Sequence, residues 1–383
     1  VEPPTQFFQS WRTIQTRDRE IIDAVVEPEH EEPSAALARA LAEWPGPHYW
    51  SREDVRPRLT LIRARRPPQR ERWWVHAALF AVTFATVWMG GALLAGTSLP
   101  FAFPLGRPIL GAPGFVLDLG REWESLRAGL DFAMALMAIL LAHETGHYLV
   151  ARRYAINASP PYVLPAPPVL NFIGTFGAFI RLRSPIVDRR QLMDVGAAGP
   201  WAGFLIAMLA LLVGLARSHV IPEMGPTDQL IQFGVGRLYL GDSPIMWLSR
   251  RLVVGEGTVV LHPLAFAGWL GLFITMLNLL PLGQLDGGHI LYALIGRWQA
   301  LVSAAALVGI VVLGFYAEQQ STLLTGMFWW VWAAVILLIG RGRVAHPQVL
   351  DRSRRLPPTR RPLGWATVVL MIGTFSPVPV YYL

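Results

Sequence analysis

With 383 residues, 53% of them hydrophobic and 15% charged, and a mean hydropathy of +0.40, the chain has the composition of a polytopic membrane protein rather than of two or three soluble domains. Its 33 basic side chains are all arginine, and they flank apolar runs as membrane topology requires, so the net charge of +7 argues for topology and against nucleic acid. Cysteine is absent, which excludes disulfides, thiol nucleophiles and thiolate-held metals and leaves His, Asp and Glu as candidate ligands.

Residues 1–72 are polar and carry both signs of charge, with a helical candidate around 34–43 and a strand-like RLTLIRA at 58–64. They are expected to form a cytoplasmic region, soluble or partly disordered, that ends on the cluster Arg63, Arg65, Arg66, Arg70 and Arg72. No cleavable signal is expected ahead of the first apolar run. That run, 73–96, opens on the interface anchors Trp73 and Trp74, and a Pro- and Gly-rich loop follows to 127. The second span, about 128–150, ends on Arg152 and Arg153.

Residues 160–190 cannot continue as helix, because Pro160, Pro161, Pro165, Pro167 and Pro168 interrupt them. FIGTFGAFIRLR at 172–183 has strand character, and the stretch is expected to be a re-entrant or interfacial β-hairpin. A third span covers 195–216 and opens on the small-residue run GAAGPWAG, which lets helices approach closely. The mixed stretch 217–260 is placed outside, on the membrane surface. A fourth span, 262–282, is broken by Pro281 and followed by GQLDGGH; spans at 301–317 and 323–340 and a weak seventh at 363–383 complete the pattern. The fold class is therefore all-α, with about six to seven transmembrane helices. The divisions are 1–72, a first helix and loop at 73–127, a catalytic membrane core at 128–295 and C-terminal helices at 296–383. Arginine bias puts the N-terminus inside, and all-arginine usage favours a bacterial cytoplasmic membrane.

The second span carries HETGH, with His143 and His147 four apart on one helical face and Glu144 beside the first. Two imidazoles and a carboxylate in hydrocarbon are costly unless they work together, so the cluster reads as a site for one zinc ion with Glu144 as general base. A chance match to the pattern is less expected on a membrane helix than on a soluble one. In the deduced topology Asp286 arrives at the same depth as the two histidines. A His, His, Asp set leaves one tetrahedral position open, as catalytic zinc requires; the plain alternative is an Asp-Gly-Gly turn. Asn278, two turns earlier on what reads as the same helix, is either an interhelical hydrogen-bonding amide or a group that holds substrate backbone. His289 is expected at the water interface rather than on the metal.

HETGH at 143–147 and NLLPLGQLDG at 278–287 together resemble the HExxH and NxxPxxxLDG pair of the site-2 proteases, the intramembrane zinc metalloproteases of the M50 type, over roughly 128–295. Gly174-Thr175-Phe176-Gly177-Ala178 and Ala198-Gly199-Pro200 are similar to further family features, and the loops resemble the branch without a PDZ domain. The resemblance implies His143, His147 and Asp286 as ligands of one zinc ion, Glu144 as catalytic base and Asn278 as a substrate-positioning residue. It also implies that Gly174, Thr175, Phe176 and Gly177 hold the substrate in extended form. The implied activity is endopeptidase cleavage in or near the transmembrane segment of a membrane protein, as in regulated intramembrane proteolysis. The partners are then that substrate and the bilayer, with no nucleic acid. The rival classes are a transporter or channel, which would need charges strung across the membrane, and an inactive scaffold, against which the intact Glu144 argues.

Overall fold

The structure is a computed structural model. It describes the chain apart from residues 1, 16–18, 31–33, 52–56, 65–70, 96–118, 155, 168–170, 172, 184–185, 222–228, 234–235, 321–322, 347–348, 350–354 and 382–383. Arg65, Arg66, Arg70, Pro168, Phe172 and most of the loop before 127 lie outside the described residues.

The first 64 residues fold as β1 (Phe8–Gln15), β2 (Arg19–Val26), α1 (Ala35–Ala42), β3 (His48–Ser51) and β4 (Arg58–Ala64). The strands form one antiparallel sheet in the order β1-β2-β4-β3. Ser34 caps α1 by accepting a hydrogen bond from the Leu37 N–H, and Leu37 and Leu41 pack on the alternate residues Ile22, Ala24 and Val26 of β2 and Leu59 and Leu61 of β4. Period-two burial on one face is what lets so short a segment hold a core.

Two helices follow, α2 (Trp73–Leu94) and α3 (Leu119–Arg153), then a two-stranded antiparallel hairpin of β5 (Tyr162–Pro165) and β6 (Thr175–Phe179). After α4 (Arg189–Leu215) come β7 (His219–Ile221), β8 (Gln229–Phe233), β9 (Gly236–Leu240), α5 (Pro244–Val253) and β10 (Thr258–Val260). The remainder is α6 (Pro263–Leu279), α7 (Asp286–Ile295), α8 (Gln299–Gln320), α9 (Leu323–Ile339), α10 (Arg361–Thr374) and β11 (Val380–Tyr381). Among the described residues four helical stretches are long and apolar enough to cross a membrane: Trp73–Leu94, Trp123–Arg153, Arg189–Leu215 and Asp286–Gln319. Pro263–Leu279 and Thr325–Ile339 are shorter apolar helices. The chain is a multi-pass membrane protein.

The molecule is mostly helical but not all-α. Residues 217–260, read from sequence as a surface stretch, supply four strands of a five-stranded sheet ordered β11-β9-β8-β10-β7. Its fifth strand comes from the stretch expected to be a seventh span. That span is not formed as expected: α10 stops at Thr374, ahead of Pro377 and Pro379, and Val380 and Tyr381 pair with Leu240 and Tyr239. A second correction concerns the fourth span. Asn278 and Asp286 do not share a helix, because α6 ends at Leu279 and the chain turns through Gly283 at φ +50° before α7 begins on Asp286.

At the centre, α3, α4 and α6 pack through Phe132, Leu136 and Ile139, through Ala207 and Leu211, and through Phe266 and Leu270, all buried. Small residues set the separation of α4 from its neighbours, as helix packing in lipid requires, since bilayer tails give no hydrophobic drive between helices. The hairpin docks on α2, where Thr83 and Thr86 donate hydrogen bonds to the carbonyls of Val163 (3.2 Å) and Gly174 (2.7 Å). Gly174, at φ +85°, lies so close to the Thr86 carbonyl that a Cβ would sit 2.3 Å from its oxygen, so glycine is required there on two counts.

Candidate metal centre

Helix α3 presents His143 and His147 one turn apart, with ring centroids 4.8 Å apart and planes at 73°. The two Nε2 atoms lie 3.1 Å from each other, and each lies 3.3 Å from Oδ2 of Asp286, the first residue of α7. Both histidines are buried.

The chemistry of this triangle is decisive. His147 Nδ1 sits 2.7 Å from the carbonyl oxygen of Val195, a group that can only accept, so Nδ1 carries a proton and, in the neutral ring, Nε2 turns its lone pair inward. Three electron-rich atoms converging on one point repel one another unless a cation lies between them. An ion about 2.0 Å from each ligand in tetrahedral geometry separates the ligand atoms by about 3.3 Å, which the distances here match. The donor set therefore fits a metal ion, and with two imidazoles and one carboxylate it suits zinc.

Glu144 is buried beside both imidazoles, and the Ile180 backbone N–H, just past the end of β6, approaches its carboxylate. The hairpin thus reaches the carboxylate through its own backbone. Asn278, near the end of α6, brings Nδ2 to 3.5 Å from His143 Nε2, so the structure gathers it with the ligands although it lies on a separate helix. Of the four hairpin positions, Gly174 is pressed against α2. Thr175 is buried and donates to the Leu164 carbonyl (2.7 Å). Phe176 is 62% exposed, and Gly177, at φ +98°, faces open space.

Some contacts had no sequence reading. Gly199 of α4 lies flat against the His147 ring, where a Cβ would stand 2.1 Å from Nε2 itself. The GAAGPWAG run signalled close approach but not what would approach. His289, expected to be solvated, is partly buried and pairs its Nδ1 with His346 Nε2 at 2.7 Å, while the His346 ring stacks on Tyr292. The residues around 344–346 are tied down further by Gly283 N–H to the Val344 carbonyl (2.8 Å) and by the His346 N–H to Gln299 (3.0 Å).

A bundle of membrane helices holding a buried His, His, Asp triangle with a carboxylate alongside defines the class: a multi-pass membrane protein with a metal centre of metallohydrolase type. Residues 131–316 match the profile of peptidase family M50, and the chain belongs to that family. It is similar to Probable zinc metalloprotease EGY1, chloroplastic, of Arabidopsis thaliana, with 35% identity over 267 residues, covering 68% of this chain and 45% of that protein. It is also similar to Probable zinc metalloprotease EGY2, chloroplastic, of the same plant, at 32% over 229 residues, 58% of this chain and 37% of that one. Against Probable zinc metalloprotease EGY1, chloroplastic, of Oryza sativa subsp. japonica the identity is 35% over 199 residues, 49% of this chain and 32% of the relative. The chain thus spans between about a third and a half of the length of these relatives. No solved structure matches it.

Proposed function

We propose that this protein is an intramembrane zinc endopeptidase that cuts a peptide bond in or near the transmembrane segment of a membrane-protein substrate, in the manner of regulated intramembrane proteolysis. The observation that carries the reading is the triangle of His143 Nε2, His147 Nε2 and Asp286 Oδ2, 3.1 to 3.3 Å on a side, with Glu144 beside it inside a membrane-helix bundle. Those three residues would hold one zinc ion, which supplies Lewis acidity and an activated water when bound.

The roles of the chain's own groups follow from their placement. Glu144 takes the proton of the attacking water and returns it to the departing amine, with the Ile180 N–H approaching its carboxylate. Asn278, its amide within reach of His143, steadies the substrate backbone around the scissile carbonyl. The Gly174, Thr175, Phe176, Gly177 segment binds the substrate. A helical peptide bond is locked into its own hydrogen-bond ladder, so the substrate must be extended first, and adding it to the edge of β6 replaces those bonds. The exposed rings of Phe176 and Phe179 give that edge an apolar surface. In this reading the shorter apolar helices also span, for six or seven crossings in all. The N-terminus and the metal centre lie toward the cytoplasm of a bacterial cell, and the chain falls in the branch without a PDZ domain.

The test is cleavage of a reporter carrying a transmembrane segment in proteoliposomes, with metal analysis of the same sample. Glu144→Gln should keep its zinc and lose at least about a hundredfold in cleavage rate. A variant that keeps wild-type cleavage would sink the protease reading. Phe176→Pro should cut turnover while leaving zinc content unchanged; unchanged turnover would remove the edge-pairing step.

A further inference from the structure

At the end of α3 nearest the metal centre, a cavity of about 480 Å³ opens between α3, α4 and the start of α10. Its polar wall is Arg153, the last residue of α3, with Arg190 from the first turn of α4 and Arg360 from the residue before α10. One carboxylate faces them. Asp194 accepts from the Tyr154 hydroxyl (2.5 Å) and pairs with Arg360 (2.8 Å), so its charge is already committed. Arg153 and Arg190 have no carboxylate partner among the described residues, although Arg190 also reaches the Tyr154 hydroxyl, and both side chains are exposed. The opposite wall is apolar, made by Val150, Trp201 and Leu363, and the Trp201 ring is fixed by its N–H bond to Thr367 (3.0 Å).

Position decides what such a cavity suits. Arg153 closes one membrane-crossing helix and Arg190 opens the next, so the guanidinium groups stand where hydrocarbon gives way to water, the depth of phospholipid phosphates. Guanidinium forks match phosphate oxygens in pairs, and the three arginines against one carboxylate leave a net charge of about +2 for an anion to neutralise. A free phosphate would use the arginines but not the apolar wall. A phospholipid uses both, with its acyl chains running down past Val150 and Leu363.

We propose that this cavity is a binding site for the phosphate headgroup of an anionic phospholipid. Its occupant bridges α3 and α4 within two turns of His147, so the lipid fastens together the helix pair on which the ligands depend.

The test uses the full-length protein in detergent with a labelled phosphatidylglycerol, against phosphatidylcholine as the zwitterionic control and inorganic phosphate as the soluble competitor. Wild type should prefer phosphatidylglycerol. R153Q/R190Q should weaken it by about twenty-fivefold, the product of about fivefold for each arginine at a membrane surface. R153K/R190K should stay within about fivefold of wild type, because point charge is kept and only the fork is lost. A circular-dichroism helical signal equal to wild type shows that each variant is folded. Equal binding of the two lipids, or a double variant with wild-type preference, overturns the proposal. Displacement of the lipid by millimolar phosphate overturns it too, and would assign the arginines to a soluble phosphate.

Discussion

The α3–α4 seam and the α8–α9 hairpin are built from the same apolar alphabet and bury it to different extents. In the span Trp123–Arg153, and again in Arg189–Leu215, 44% of the most apolar window is buried within the protein, against 22% for Asp286–Gln319. At the seam the contacts are made by glycine and alanine, so the backbones come close enough for a carbonyl of α4 to hold a histidine of α3. On the hairpin Gly314 and Gly326 also meet and Trp329, Ile310 and Ile336 are buried, but the outer face is large and apolar: Val308, Val312, Leu338 and Ile339 are each at least 60% exposed, as lipid-facing residues are. Hydropathy is therefore no guide to which helices matter. Side-chain size is, since in lipid the gain comes from close packing rather than from burying greasy surface.

That contrast can be broken at the seam first. Asp286→Ala removes one corner of the ligand triangle, so zinc should fall from about one per chain toward none and cleavage should fall to background, read by metal analysis and the reporter assay. Gly199→Ala is subtler: its methyl group would need the space of His147 Nε2, and displacement of that ring should weaken zinc affinity by about ten- to a hundredfold in a chelator competition. The same substitution on the hairpin sharpens the comparison. Gly309 in α8 has open space where a Cβ would go, so Gly309→Ala should leave zinc and cleavage unchanged and stability equal or higher by up to about 1 kcal/mol in a thermal melt. Equal penalties for Gly199→Ala and Gly309→Ala would mean that the seam is no tighter than the hairpin.

The ligands were legible in the sequence because their chemistry is expensive in a membrane. His143, Glu144 and His147 stand on a helical face in an apolar run, and arginine bias placed Asp286 at their depth. The sheets were not legible, for a reason of length: β7 and β10 have three residues each and β11 two, too few for alternation to register, and β11 lies in a run that reads as a helix until Pro377. The helix break between Asn278 and Asp286 was half visible, since Pro281 was read but not the turn at Gly283. Contacts such as Gly199 on His147 or Ile180 on Glu144 join segments far apart in sequence and leave no periodic trace.

The metal triangle draws its corners from helices made at different times. His143 and His147 enter the membrane with α3, whereas Asp286 arrives only after α4, the strands between and α6 have been synthesised. A chain synthesised only as far as α3 therefore carries two imidazoles and the Glu144 carboxylate but an incomplete ligand set. The ligand set therefore closes only when most of the fold, including α4 and α6, is in place.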